Sequence, residues 1–155
     1  MGKKICSSLV LMMLMAVSVF AAEKADFTYK GLQIGDTYEE MTQKIGTPRM
    51  DISNVTDNRV VTYYVYGEYN DTRIGIDEMT KKIVDMRTGD KKYTTEKDVK
   101  IGATPFKLNK VYGQGKKERI GGKVYYIYEG EDSERLMLDI SQGYLAEIRI
   151  TTLED

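Results

Sequence analysis

The chain has no histidine, no tryptophan and a single cysteine, Cys6, among its 155 residues. Histidine is the usual general acid or base near neutral pH, and a cysteine thiolate is a common nucleophile. Cys6 lies before an apolar amino-terminal run, so the chain beyond that run cannot be stabilised by disulfides. We therefore expect a non-enzymatic protein that is stabilised by its core alone.

Carboxylates could act as catalysts without histidine, as they do in glycosidases. Asp77 with Asp85, and Asp139 with Glu147, are pairs that adjacent strands could bring together. The arginines between them favour ordinary ion pairs instead. Acidic residues at the predicted turns lack the spacing of a calcium loop. We predict no catalytic residue, no metal site and no cofactor.

The amino terminus has the features of a secretory signal. Lys3 and Lys4 supply a positive start, and an apolar run from Leu9 to Phe20 is followed by small residues. We expect residues 1–21 to be removed and the protein to be exported, to the periplasm or outside the cell. An uncleaved membrane anchor is the alternative, because the apolar stretch is close to the minimum of about 17 residues that spans a bilayer.

Positive and negative charges nearly balance, with 23 Lys and Arg against 24 Asp and Glu. Nucleic acids and anionic membranes require a concentrated basic surface. The balance therefore argues against either as the main partner and leaves a protein or peptide as the expected one.

Two stretches of the sequence recur. Ile34–Gly46 recurs as Ile101–Gly113, and Tyr63–Gly89 recurs without a gap as Tyr125–Thr151. A repeat of this length predicts two copies of one folding unit. The predicted units are residues 22–90 and 91–155.

Each unit begins with a short predicted helix. Thr37 with Glu40 fits a capping box, while Thr104 caps the second helix and Pro105 takes its first position. The predicted apolar stripes are Tyr38, Met41 and Ile45, and Phe106, Leu108, Val111 and Tyr112. The predicted strands are 59–67, 72–78 and 82–88, and 123–130, 134–140 and 144–152. The fold class is α+β: two helix-plus-three-or-four-strand repeats whose antiparallel strands form a continuous concave sheet, with the helices on one face.

Alternation along the strands divides the side chains between two faces. We place Val61, Tyr63 and Val65 beneath the first helix, and Tyr125 and Ile127 beneath the second. The predicted solvent face carries Tyr64, Tyr66, Arg73, Asp77, Asp85 and Arg87, and Tyr126, Tyr128, Arg135, Asp139, Glu147 and Arg149. Six residues are identical in 27 gapless positions of the repeat, and five of the six belong to this face. Identity on a solvent face indicates function, although tyrosines and arginine–aspartate pairs also stabilise strands.

A family resemblance agrees with this architecture. Gly35, Thr37, Glu40, Gly46 and Pro48, followed by a tyrosine-rich strand, resemble the repeat unit of β-lactamase inhibitor proteins and of the SmpA/OmlA (BamE) outer-membrane assembly lipoproteins. The tandem arrangement is more similar to the inhibitor proteins, in which two units form one concave sheet that grips a partner. The resemblance implies protein contact through the open sheet face. It does not identify the target, because the disulfides and the lipidated cysteine of those families are missing.

We therefore predict an exported, non-enzymatic module that recognises a protein or peptide. Tyrosine and arginine are enriched among interface hot spots. The predicted contacts are Tyr64, Tyr66, Tyr126 and Tyr128, framed by Arg73, Arg87, Arg135 and Arg149, with Asp71 at a hairpin tip. The alternative is a structural component of a cell-envelope or outer-membrane assembly, held through its edges and apolar patches instead of its tyrosine face.

Overall fold

A computed structural model describes residues 23–154 of the chain. The predicted signal peptide lies outside the described residues and stays a prediction. Within the described part, no helix is long and apolar enough to cross a membrane. The helices are a 3₁₀ turn at Lys24–Phe27, α1 at Tyr38–Ile45 and α2 at Pro105–Tyr112.

Both α-helices begin and end as their sequences predict. Thr37 accepts a hydrogen bond from the Glu40 amide, and the Glu40 side chain accepts one from the Thr37 amide. Thr104 accepts from the Lys107 amide, with Pro105 at the first helical position. Each helix stops at a glycine with positive φ, +85° at Gly46 and +80° at Gly113. Only glycine takes this conformation at little steric cost.

The strands form one small and one large antiparallel sheet. The small sheet pairs β1 (Thr28–Tyr29) with β2 (Leu32–Gln33). The strands of the large sheet are β3 (Met50–Thr56), β4 (Arg59–Tyr66), β5 (Thr72–Asp77), β6 (Ile83–Thr88), β7 (Lys116–Ile120), β8 (Lys123–Glu129), β9 (Arg135–Asp139) and β10 (Glu147–Thr151). The six predicted strands of the large sheet are present, and β3 and β7 extend it at its two edges.

The large sheet is continuous across the middle of the chain. Its eight strands lie in the order β3-β4-β5-β6-β10-β9-β8-β7, so the strands that follow α1 form one half and those that follow α2 the other. β6 and β10 join the halves, with Arg87 opposite Arg149 and Met86 opposite Ile150. This junction confirms the predicted continuous antiparallel sheet.

The main core lies between the sheet and both helices. It contains Met41 from α1, Leu108 and Tyr112 from α2, and sheet residues such as Ile74 and Leu136. Because both helices contribute to this one cluster, they cover the same face of the sheet. Phe106 does not join the core as predicted: its side chain is 80% exposed.

The opposite face of the sheet holds two smaller apolar clusters. Val61, Tyr63 and Val84 pack with Leu153 of the carboxyl-terminal segment, and a second group surrounds Tyr125. β6 contains a β-bulge: Asp85 pairs with Gly75 of β5 and Ile83 pairs with Ile76, so Val84 between them has no partner on β5. The bulge turns the Val84 side chain towards this face. Among the described residues neither helix contributes to these clusters, and we call this side the open face.

Candidate binding surface

The four tyrosines predicted to face solvent lie on the helix side of the sheet. Tyr64 is paired directly with Ile74, a core residue, and Tyr128 with Leu136. Directly paired residues of an antiparallel sheet share a face. Tyr66 and Tyr128 are buried, and Tyr64 and Tyr126 are partly buried against the core. The predicted face of β4 and β8 is therefore wrong by one residue.

Two of these tyrosines anchor the ends of the helices. The Tyr66 hydroxyl donates to the Gly46 carbonyl at 3.0 Å, and the Tyr128 hydroxyl donates to the Gly113 carbonyl, also at 3.0 Å. The two contacts occupy equivalent places in the halves of the chain. They explain why tyrosine stands at both positions without any role for a partner, because the last carbonyls of a helix lack partners within it.

Replacing these tyrosines with phenylalanine tests the anchoring contacts. We expect Tyr66→Phe and Tyr128→Phe each to lower the free energy of unfolding at pH 7 by about 0.5–1.5 kcal/mol, the usual net value of one hydrogen bond. Urea denaturation measures the change. Tyr69→Phe, at an exposed hairpin tip, is the matched control and should change stability by less than about 0.5 kcal/mol. Equal effects at all three positions would contradict the anchoring role.

The same variants should alter the response to alkali. Burial raises the pKa of Tyr66 and of Tyr128 to about 12, whereas tyrosines in an unfolded chain ionise near pH 10. Between these values the unfolded state releases protons that the folded state keeps, so stability is full below about pH 10 and falls as pH rises to about 12. The double phenylalanine variant should lose less additional stability over this range than the unaltered protein.

The predicted arginines do lie on the open face, and three of them form a row. Arg73 on β5 is directly opposite Arg87 on β6, which is directly opposite Arg149 on β10. Neighbouring strands lie about 4.8 Å apart, so the three guanidinium groups belong to one small area. We call these residues the arginine row.

One buried carboxylate holds two members of the row. Asp85 is fully buried, and its Oδ2 accepts from Arg87 Nε at 3.0 Å and Nη2 at 2.6 Å. Its Oδ1 accepts from Arg149 Nε at 2.7 Å. The Arg87 guanidinium also lies 5.5 Å from the centre of the Tyr63 ring, within cation–π range. These contacts orient Arg87 and Arg149 rigidly.

Arg73 differs from its two neighbours in the row. Its side chain is exposed, and it forms no salt bridge with any residue in the range 23–154. Arg135, at the aligned position of the second sequence segment, is partly buried and donates from Nη2 to the Leu153 carbonyl. Of the two equivalent arginines, Arg73 is therefore the one available to a ligand.

A groove of about 450 Å³ lies beside the arginine row. The Tyr63 ring that lines it packs directly over Gly75, where a Cβ would stand 2.8 Å from the ring. The lining includes all three arginines of the row, with Ile52, Asn54 and Tyr63. Sequence reasoning missed the last three residues. Tyr63 and Tyr64 are adjacent, so alternation along β4 does not show which of the two rings faces the groove. Ile52 and Asn54 lie on β3, a strand that was not predicted.

The carboxylates considered for catalysis are occupied by structural contacts. Asp77 Oδ1 accepts from the Met79 and Thr80 amides at 2.7 and 3.0 Å, which closes the turn after β5. Asp139 lies opposite Glu147, with Lys123 Nζ at 3.0 Å from the first and 3.7 Å from the second. Burial alone would raise the pKa of Asp139, but hydrogen bonds from Ser141 and Lys123 lower it. These groups form ion pairs and turns.

Asp71 lies apart from the arginine row. Its carbonyl accepts from the Gly89 amide at 2.7 Å, and its side chain lines a separate depression of about 720 Å³ with Tyr69, Lys91 and Lys92. The structure therefore does not bring Asp71 together with the other predicted contacts.

No protein-family model and no curated protein matches this chain. Several solved structures share the fold. Among them are the uncharacterized protein YfeY from Escherichia coli (16% identity, 81% of this chain and 97% of that one, TM-score 0.58), the DUF4309 family protein YjgB from Bacillus subtilis (19%, 79% and 82%, 0.54), and an extracellular protein containing an SCP domain from Bacillus anthracis (14%, 76% and 43%, 0.53). The chain thus spans less than half of the B. anthracis protein.

These comparisons give little support to the resemblance to β-lactamase inhibitor proteins. A Streptococcus mutans protein provisionally described as such an inhibitor matches with a TM-score of 0.34 and 16% identity. That score is too low to support an argument, so the resemblance rests on the motif residues of the sequence alone.

Proposed function

We propose that this protein is an exported, non-enzymatic module that binds a protein or peptide through the open face of its sheet. The observation that carries the proposal is the exposed Arg73, which lies in a row of arginines beside a groove and has no salt bridge within residues 23–154. A charged side chain held on a face without helices is available to a partner. The extracellular B. anthracis protein with the same fold supports export.

The proposal includes a duplicated folding unit. Backbone contacts recur at equivalent places: Gly35 and Gly102 donate to the carbonyls of Ile83 and Leu145 at 2.9 and 2.7 Å. The tyrosine contacts to the helix ends recur in the same way. Two copies of one unit at residues 22–90 and 91–155 account for these pairs. Divergence of the copies then explains why only Arg73, and not Arg135, remains available.

Affinity capture tests the proposal. The exported protein, purified with an affinity tag, is mixed with envelope extract and culture fluid of its host, beside Arg73→Glu and the matched control Arg119→Glu. Arg119 is exposed on β7 at the far edge of the sheet. We expect a partner with the unaltered protein and the control, and its loss with Arg73→Glu. If all three folded proteins capture the same amount of partner, the open face is not the binding surface.

The alternative is a structural component of a cell-envelope assembly, and one edge of the sheet favours it. Among residues 23–154, β3 pairs only with β4, and its Ile52 and Val55 side chains are 49% and 70% exposed. The opposite edge, β7, reads KKERI, a charged sequence that discourages pairing with another chain. Fractionation separates the two functions: an assembly component sediments with membranes, and a free module stays in the soluble fraction.

A further inference from the structure

Arg73 is the member of the arginine row that forms no salt bridge within residues 23–154. Arg73 and Arg87 stand directly opposite each other, and like charges in that position destabilise a sheet. Asp85 lies opposite Gly75 of β5, and its carboxylate accepts hydrogen bonds from Arg87 and Arg149 rather than from Arg73. A negatively charged ligand near Arg73 would relieve the repulsion. The attraction is local, because the chain as a whole carries a formal charge of −1.

The row is already built to hold a carboxylate. Arg87 presents Nε and Nη2 together to one oxygen of Asp85, so its guanidinium is fixed by its partner. Arg73 points the same type of group into the groove from the next strand. A planar guanidinium forms two parallel hydrogen bonds with a carboxylate. The geometry around Arg73 therefore suits a second carboxylate.

The rest of the groove suits a peptide. Ile52 and the Tyr63 ring offer apolar contact beside the arginines, and the Asn54 side-chain NH₂ offers a donor, since its oxygen already accepts from the Val55 amide. A volume of about 450 Å³ falls in the range of sites that enclose small ligands. An acidic side chain followed by an apolar one would satisfy both parts of this lining.

We infer that the groove beside Arg73, Arg87 and Arg149 binds the carboxylates of an acidic segment of a protein partner. The inference rests on the proposed function, since it states the chemistry that the open face recognises. Arg73 makes the direct contact with a ligand carboxylate. Arg87 and Arg149, held by Asp85, line the groove beside it.

Fluorescence anisotropy with a labelled hexaglutamate peptide tests the inference on the purified protein. We expect binding that weakens with salt and no comparable binding of a hexaglutamine peptide. Arg73→Gln should weaken binding roughly 10-fold or more, the effect of losing one charge-assisted hydrogen bond. Arg119→Gln removes the same charge elsewhere on the sheet and should change the affinity by less than about 2-fold. Arg73→Lys should bind less tightly than the unaltered protein, because lysine lacks the guanidinium fork.

Several results would overturn the inference. Equal binding of the two peptides would exclude carboxylate recognition, and equal weakening by Arg73→Gln and Arg119→Gln would reduce the effect to overall charge. Displacement of the peptide by inorganic phosphate, but not by chloride at equal ionic strength, would assign the groove to free phosphate. If hexaglutamate fails to bind while capture of a host partner still depends on Arg73, the acidic ligand is wrong and the proposed function stands.

Discussion

Asp85→Asn should lower the free energy of unfolding by about 3–5 kcal/mol, the usual effect of breaking a buried ion pair. Asp85 is fully buried and accepts from Arg87 and Arg149, which lie on two different strands. Asparagine has nearly the same shape, so packing is conserved while the negative charge is lost. Two guanidinium groups then remain close together without that carboxylate between them. The stability of the β6–β10 junction depends on this residue.

Urea denaturation of Asp85→Asn beside Asp51→Asn measures this effect. Asp51 is exposed on the edge strand β3 and forms no salt bridge among residues 23–154. The control should change the free energy of unfolding by less than about 0.5 kcal/mol. A loss below about 1 kcal/mol for Asp85→Asn would mean that water replaces the carboxylate, and that the arginine row is less rigid than its contacts indicate.

Leu108→Ala should destabilise the protein by about 2–5 kcal/mol, the range for removing a large aliphatic side chain from a core. Leu108 is fully buried where α2 packs on the sheet. Helices this short are marginal alone, so α2 depends on this packing for its stability. The variant should therefore lose helix contacts and sheet stability together, in one unfolding transition.

Phe106→Ala is the matched control, on the same helix two residues away. The Phe106 side chain is 80% exposed, and its removal should change stability by less than about 0.5 kcal/mol. Thermal unfolding of both variants gives the comparison. A larger loss for Phe106→Ala than for Leu108→Ala would mean that α2 packs on the sheet with a different face.

Local signals were sufficient to predict the helices. The cap at Thr37, the proline at Pro105 and the glycines that end both helices act within one helical turn, and all four lie where the sequence places them. The turns after β5 and β9 are equally local, since Asp77 and Asp139 accept from amides two or three residues onward. Such features depend on neighbours in sequence, so they are visible in the sequence.

The face of a strand was predicted correctly where polar and apolar residues alternate clearly. In β5, Arg73 alternates with Ile74 and Ile76, and the predicted face is right. In β4, Tyr63 and Tyr64 are adjacent and both phases are apolar or aromatic. A slip of one residue exchanges the two faces. Tyr66, and not Val65, lies beneath the helix because the Tyr66 hydroxyl donates to the Gly46 carbonyl, 20 residues away in the sequence.

The sequence by itself determined the α+β class, the positions of the helices and the six inner strands, because caps, turns and strand patterns act over a few residues. Only the tertiary structure decided which tyrosines lie under the helices and which arginine remains exposed. Those outcomes depend on strand register and on contacts such as that between Arg149 and Asp85, which are 64 residues apart. Along β4 the local pattern makes both faces apolar, and the pairing with β5 decides which of them lies beneath the helices. The same pairing places Arg73 on the open face, beside the groove.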